Sequence, residues 1–178
     1  SNGMIEVILD GKPHSFPKSM VVGIQEAARV GIHGNCTWII GSPTETLEDV
    51  KETVRFIQWQ QEFYTQFGTR PEAVNSRMFT MTWYPGVSLV NNQKVREQLS
   101  KAFGLKFQER EKKVAFRSHW EPVMDDAFER YIEDLDDATK VLHGPNGEPL
   151  NFSDMPTNVF LKVRECIDSG RTLNILNM

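Results

Sequence analysis

The chain has 178 residues, of which 39% are hydrophobic and 25% charged, and its formal net charge is −4 at pH 7. This size and composition are typical of one ordinary globular domain whose core is stable without disulfides. The acidic balance and the scattered basic residues exclude nucleic acid as an expected partner. No run approaches the roughly 18 apolar residues that a membrane span requires.

The cysteines and the N-terminus predict a cytoplasmic protein. Cys36 and Cys166 are the only cysteines and lie far apart in the sequence. Two such cysteines do not make a zinc or iron–sulfur ligand set by themselves, and their sparse use is typical of a reducing compartment. The residues around Met4 contain no basic segment followed by an apolar one, so we expect no secretion signal. Both thiols are expected in the core.

The first half of the chain predicts the order helix, strand, helix, strand. A helical spacing of apolar residues ends at Gly31. Residues 35–41 then predict a strand covered on both faces, because apolar residues occur at both odd and even positions. Helical spacing resumes as far as Gly68, with Glu45 in the acidic first turn, and residues 73–83 predict a second strand. Strands that alternate with helices indicate a parallel sheet.

Two loops follow the predicted strands at the same edge of this sheet. They are residues 41–45, with Gly41 and Pro43, and residues 83–88, which include Tyr84-Pro85-Gly86. In parallel α/β folds, ligands bind beyond the carboxyl ends of the strands. We therefore expect any ligand site at these two loops.

The second half is predicted to be mostly helical. Helices are expected over residues 91–103, 122–142 and 156–168. Residues 113–120 are compatible with either a short strand or an extended loop. Ser153 or Asp154 is the expected N-cap of the last helix, because both side chains accept hydrogen bonds from free backbone N–H groups.

Two motifs at the strand ends resemble a known family. The stretch "GIHGNCTWIIGSPTETLEDVKETVRFIQ" followed by "SRMFTMTWYPGVSLV" resembles the C-terminal half of a radical S-adenosylmethionine (SAM) barrel. It is most similar to the cobalamin-associated branch that includes the anaerobic magnesium-protoporphyrin ester cyclases. That branch commonly has Gly-x-Pro-Gly-Glu-Thr after the fifth strand and Tyr-Pro-Gly-Thr-x-Leu after the sixth. Residues 41–46 and 84–89 match these patterns, and the resemblance covers residues 5–90.

The resemblance implies a fold and a division of the chain. The expected fold is α/β: a partial parallel (β/α) barrel, or half-barrel, over residues 4–90, followed by a mostly helical C-terminal extension over residues 91–178. In the family the loop after the fifth strand lies against the adenine of SAM. The residues that the resemblance brings to a nucleoside are Ile40, Gly41, Pro43 and Glu45, with Trp83 and Tyr84 as walls from the next strand end.

A plainer interpretation of the same loop stays open. Gly41 to Pro43 also suit a tight connection from strand to helix, with Glu45 as a partner of the helix dipole. Trp83 is likewise compatible with simple core packing. An unrelated small hydrolase or transferase that uses Glu45 and a histidine is a further alternative. The histidines lack the spacing of a metal site, so we assign no metal ligand and no catalytic residue.

Two departures from the family pattern limit the expected activity. Thr44 stands where the family usually has glycine, which alters the loop if that position needs a positive φ. The Cys-x3-Cys-x2-Cys motif for a 4Fe–4S cluster is absent from the sequence. The chain is therefore not expected to be catalytic alone, and is a fragment, one half of a split enzyme or a degenerate homologue. S-adenosylmethionine is the candidate ligand, and the cluster and cobalamin require a missing segment or a partner.

The expected partners follow from the exposed edges of half a parallel barrel. Such edges are a liability, so we expect a homo-oligomer, an N-terminal half-barrel as partner, or C-terminal helices that cover the edges. The alternative function is a non-catalytic module that binds S-adenosylmethionine, another nucleoside or a protein.

Overall fold

A computed structural model of the chain describes residues 18–110, 119–135 and 140–178. The helices are α1 (Lys18–Arg29), α2 (Leu47–Thr65), α3 (Gln93–Phe103), α4 (Asp126–Asp134) and α5 (Thr157–Asp168). The strands are β1 (Asn35–Ile40), β2 (Asn75–Thr80), β3 (Phe107–Glu109) and β4 (Trp120–Pro122), and short 3-10 helices span Pro71–Ala73, Ser88–Asn91 and Thr172–Asn177. The α/β class is confirmed. No helix in these ranges is both long and apolar enough to cross a bilayer.

The first predicted helix is confirmed as α1. Its buried Ile24 and Ala28 pack with Tyr64 of α2 and with Val74. The chain turns at Gly31, whose φ of 75° is a conformation that glycine adopts without a steric penalty. The short apolar run predicted at residues 5–9 lies outside the described residues.

β1 and β2 form a parallel pair, as the alternation of helices and strands predicts. Their register sets Asn35 opposite Asn75 and Ile40 opposite Thr80, and α2 is the crossover between them. The strand predicted over residues 73–83 is shorter, because a 3-10 helix precedes it and the pairing stops at Thr80. One further bond, from Met81 N–H to the Ile40 carbonyl at 2.7 Å, joins the two strand ends. In the described part of the chain this two-stranded pair is the only parallel sheet.

The parallel sheet is covered on one face, which corrects the expectation of burial on both. Trp38, Ile40 and Met78 are buried against α2 and α5. On the opposite face Thr37 is exposed and Ile39 has 36% of its surface accessible. The apolar run did not establish burial of both faces, because a β-branched residue such as Ile39 favours a strand whether or not its side chain is buried.

α3 confirms the predicted helix after the second loop. Val95, Leu99 and Phe103 recur every four residues, and all three are buried. The Asn92 side chain accepts a hydrogen bond from the Lys94 N–H at 2.9 Å and so caps the first turn.

The long helix predicted over residues 122–142 is wrong at both ends. Pro122 belongs to β4, which pairs antiparallel with β3, an element that the sequence did not predict. α4 begins only after Asp125, whose carboxylate accepts hydrogen bonds from two backbone N–H groups of the first turn. Leu142 is buried but extended, since its carbonyl accepts a bond from the Leu150 N–H at 2.8 Å. The apolar stripe therefore combines α4 with a separate segment.

The C-terminal region packs against the parallel sheet. α5 confirms the predicted last helix, but its N-cap is Pro156 and no side chain caps it. Neither predicted cap is used: the Ser153 hydroxyl accepts a bond from the Met155 N–H at 3.2 Å, and the Asp154 carboxylate pairs with Lys94. The tail after α5 forms a 3-10 helix whose Ile175 is fully buried in the same cluster as Phe160. The segment without a family match thus completes the core under β1 and β2.

Candidate functional site

The loop between β1 and α2 is a tight connection with two left-handed residues. Gly41 has a φ of 87° and Thr44 a φ of 68°. Thr44 is the position where the family pattern has glycine, and no other non-glycine residue of the described chain has positive φ. A β-branched side chain in this region is strained, because its Cβ crowds the backbone.

Glu45 lies outside the first turn of α2, contrary to the expectation from sequence. The helix begins at Leu47, and Thr46 and Asp49 form a reciprocal capping box at its start. The Glu45 N–H donates to the Ser42 carbonyl at 3.0 Å and closes the turn. The acidic partners of the helix dipole are therefore Glu48 and Asp49, and Glu45 is available for another role.

The Glu45 carboxylate is held inside the loop. Only 4% of the residue is exposed, and its Oε2 accepts a hydrogen bond from the Gly41 N–H at 2.5 Å. Burial raises the pKa of this carboxyl from 4.5 to about 7, against the opposing effect of the Gly41 hydrogen bond. Near neutral pH the group therefore exists in both protonation states.

The C-terminal segment of the chain covers this loop. The Asp154 N–H donates to the Glu45 carbonyl at 2.9 Å. The Phe160 ring of α5 lies so close to Gly41 that a Cβ there would be 3.1 Å from it. Lys94 of α3 donates from its Nζ to the Ser153 carbonyl at 2.8 Å and also pairs with Asp154. Glycine at position 41 thus permits both the turn and the approach of an aromatic ring.

One polar atom of the loop has no partner. The Ser42 side chain is fully buried, and its hydroxyl makes no hydrogen bond within the described chain. Buried hydroxyl groups are usually hydrogen-bonded, because an unsatisfied one retains its desolvation cost. Sequence reasoning missed this residue, and serine in a turn gives no signal that its side chain will be enclosed.

The second loop brings Trp83 into the core and leaves Tyr84 at the surface. Trp83 has no exposed surface and packs against Tyr131 and Phe107 at ring-centroid distances of 5.6 and 5.7 Å. The Tyr131 hydroxyl donates to the Trp83 carbonyl at 2.7 Å, and burial raises the pKa of that phenol above its usual range. Tyr84 is 44% exposed and is the candidate residue most accessible to a ligand.

The structure brings the two strand ends together, as the parallel topology requires. Four of the six candidate residues, those preceding α2, are buried: Ile40, Gly41, Pro43 and Glu45. Trp83 is buried in a separate cluster with α3 and α4. Phe160, which covers the loop, was missed because a contact between residues so far apart leaves no local pattern.

The described residues contain no group of three metal-ligating side chains. The histidine, cysteine and carboxylate positions of these ranges form no such cluster. Cys36 is half-buried, and its Sγ accepts a hydrogen bond from the Gln60 side-chain nitrogen at 3.2 Å. Cys166 is a half-buried free thiol that packs in the sheet core with Cys36.

Comparisons with protein-family models, with curated proteins and with solved structures found no match to this chain. The resemblance to radical SAM barrels therefore depends on the two strand-end motifs.

Proposed function

We propose that this chain is a radical SAM-like partial barrel that is not catalytic alone, as a fragment, one half of a split enzyme or a degenerate homologue. The observation that supports this most strongly is the parallel sheet, one face of which is left uncovered by the described part of the chain. Parallel sheets occur almost only with both faces covered. Thr37 and Ile39 of β1 lie opposite Arg77 and Phe79 of β2, so these side chains share the uncovered face. In a complete barrel that face lines the interior.

The geometry of the first loop gives this proposal independent support. The family pattern has glycine at the position of Thr44, and Thr44 has the left-handed φ of 68° for which glycine is suited. A degenerate copy of the motif is expected to keep the backbone conformation of the original glycine after threonine has replaced it. Glu45 and Thr46 keep the residues of the pattern at the same spacing.

The residues present do not fit a 4Fe–4S cluster. The family needs three cysteine ligands and the sequence has two cysteines, one of which accepts a hydrogen bond from Gln60. The cluster and cobalamin therefore belong, in this proposal, to a missing segment or a partner. After anaerobic treatment with iron and sulfide, we expect no cleavage of S-adenosylmethionine by this chain, measured by chromatography. Cleavage by the purified chain would contradict the proposal.

Either a second copy or an N-terminal half-barrel is the expected cover of the open face, and self-association is tested first. We expect wild-type protein at about 100 µM to sediment as an oligomer, since interfaces bury apolar side chains such as Ile39. Ile39→Asp is expected to give a monomer. The matched control is Ile132→Asp on α4, where the isoleucine is 40% exposed against 36% for Ile39.

The outcomes of this experiment separate the two partners. A wild-type monomer would exclude the homo-oligomer and leave the N-terminal half-barrel as the cover. Equal loss of association in both aspartate variants would show a nonspecific hydrophobic contact and would count against the open face as an interface. We further propose a cytoplasmic location, which the two unpaired thiols support.

The second candidate is a non-catalytic module that binds S-adenosylmethionine or another nucleoside. The unpartnered hydroxyl of Ser42 favours it, because a ligand at the loop would supply the missing hydrogen bond. Such a ligand must displace the C-terminal segment that contacts Gly41 and Glu45. Isothermal titration with S-adenosylmethionine and with S-adenosylhomocysteine tests it. The absence of heat at millimolar ligand would remove this candidate, and a loss of binding in Tyr84→Ala would support it.

A further inference from the structure

Among the described residues, the edge of β2 that faces away from β1 is only partly covered. Met81 N–H bonds to β1, and backbone groups alternate in direction along a strand, so Ser76 and Met78 direct theirs to the opposite edge. The Arg164 guanidinium of α5 donates to the Met78 carbonyl at 2.9 Å and to the Thr80 hydroxyl at 3.5 Å. α5 therefore closes the carboxyl end of this edge, and the rest of the edge continues into a cleft.

The cleft beside this edge has the volume of a short extended peptide. Its volume is about 940 Å³, and its walls come from α2, from α5 and from residues 170–174, which lead into the C-terminal 3-10 helix. An extended strand occupies about 160 Å³ per residue, which is the product of the rise per residue, the spacing between strands and the spacing between packed sheets. About five or six extended residues therefore fit.

The backbone groups left at this edge suit one residue of a parallel strand. A residue on a parallel neighbour donates to the carbonyl of one residue and accepts from the N–H two positions later. The Ser76 carbonyl and the Met78 N–H have this relation, while the Met78 carbonyl is taken by Arg164.

The lining of the cleft is positively charged in an acidic chain. Arg77, Arg164 and Arg171 all line it, and the single acidic side chain of its described lining, Asp168, pairs with Arg164. Arg171 donates from its Nε to the Ser169 hydroxyl at 2.9 Å, and its ion pair with the exposed Glu165 is long, at 3.8 Å. Because the whole chain carries a net charge of −4, this local excess of arginine selects for an acidic partner.

We propose that this cleft binds an extended acidic peptide segment, which adds to β2 as a parallel strand. Main-chain bonds to Ser76 and Met78 provide affinity, and the arginines provide the preference for acidic side chains. The proposal depends on the free edge and the charges, and it stands whether or not the family resemblance does.

The test uses the full chain and a labelled five-residue peptide of alternating valine and glutamate with blocked termini. We expect binding by fluorescence anisotropy at low ionic strength and slower hydrogen exchange at the Met78 amide. A version with proline at the centre is expected to bind about fivefold more weakly, because it loses one main-chain bond. A version with lysine in place of glutamate is expected to bind more weakly still.

Protein variants test the charges separately. The double variant Arg77→Glu with Arg171→Glu is expected to weaken binding about tenfold, since it reverses two exposed charges of the lining. Arg130→Glu, on the exposed surface of α4 outside the cleft, is the matched control and is expected to bind as wild type.

Three results would overturn the proposal. They are no binding of the acidic peptide at 1 mM, equal binding of the proline version, and unchanged exchange at Met78 in the complex. Equal binding of the lysine version would overturn the preference for acidic segments. The peptide comparisons need only wild-type protein, so they stand even if the charge-reversed variant does not fold.

Discussion

Replacement of Thr44 by glycine is expected to stabilise the protein. Thr44 has a φ of 68° and an exposed side chain, so the substitution relieves backbone strain without loss of buried contacts. A non-glycine residue in the left-handed region costs about 1–2 kcal/mol. Glycine offsets about 0.5–1 kcal/mol of that gain, because it increases the conformational entropy of the unfolded chain. The net expectation is an increase of about 1 kcal/mol in the free energy of unfolding.

The measurement is urea unfolding followed by tryptophan fluorescence, with thermal unfolding alongside. A gain of about 1 kcal/mol corresponds to an increase of about 2–4 °C in Tm for a chain of this size. Thr65→Gly is the matched control, because Thr65 is also exposed but ends α2 with ordinary helical geometry. That variant is expected to lose about 0.5 kcal/mol. If Thr44→Gly loses stability to the same extent, the assignment of strain to Thr44 is wrong.

Three further predictions concern buried polar groups. Burial raises the pKa of Glu45 from 4.5 to about 7, so its contribution to stability is complete below pH 4.5 and is lost as pH rises through 7. We expect urea titrations to show that the free energy of unfolding falls by up to about 3 kcal/mol over this window and that Glu45→Gln removes this fall. An unchanged pH profile of the wild type would contradict the prediction. Arg164→Met is expected to cost about 1–3 kcal/mol by leaving a carbonyl at the edge of β2 unpaired, and an unchanged urea midpoint would refute that role. Tyr131→Phe is expected to cost about 1 kcal/mol through the lost hydrogen bond to Trp83, whereas the exposed control Tyr84→Phe is expected to change nothing; equal effects would refute the assignment.

Local pattern was sufficient for the first supersecondary unit. The alternation of helical and strand periods predicted a parallel pair, and β1, α2 and β2 have that arrangement. Gly31 marked the end of α1 because its positive φ is a property of the residue and its immediate neighbours. Pattern failed at Pro122 and Leu142, since apolar residues in two separate segments happened to keep a helical spacing.

The state of the candidate loop was decided by tertiary contacts. The sequence of residues 41–46 predicted a tight turn and a helix after it. It did not specify that Phe160 would press on Gly41, that Asp154 would bind the Glu45 carbonyl, or that Ser42 would be enclosed without a partner. Those contacts join residues more than a hundred positions apart, and such pairings leave no trace in local periodicity.

The same division holds for the sheet as a whole. The sequence by itself predicted where the two strands of the parallel pair lie and that they run parallel, because both follow from local propensity and from the length of the crossover. Only the tertiary structure decided which face is covered and which edge is capped. Burial of Ile40 and exposure of Ile39 depend on where α2 and α5 lie, and Arg164 reaches β2 because α5 packs beside it.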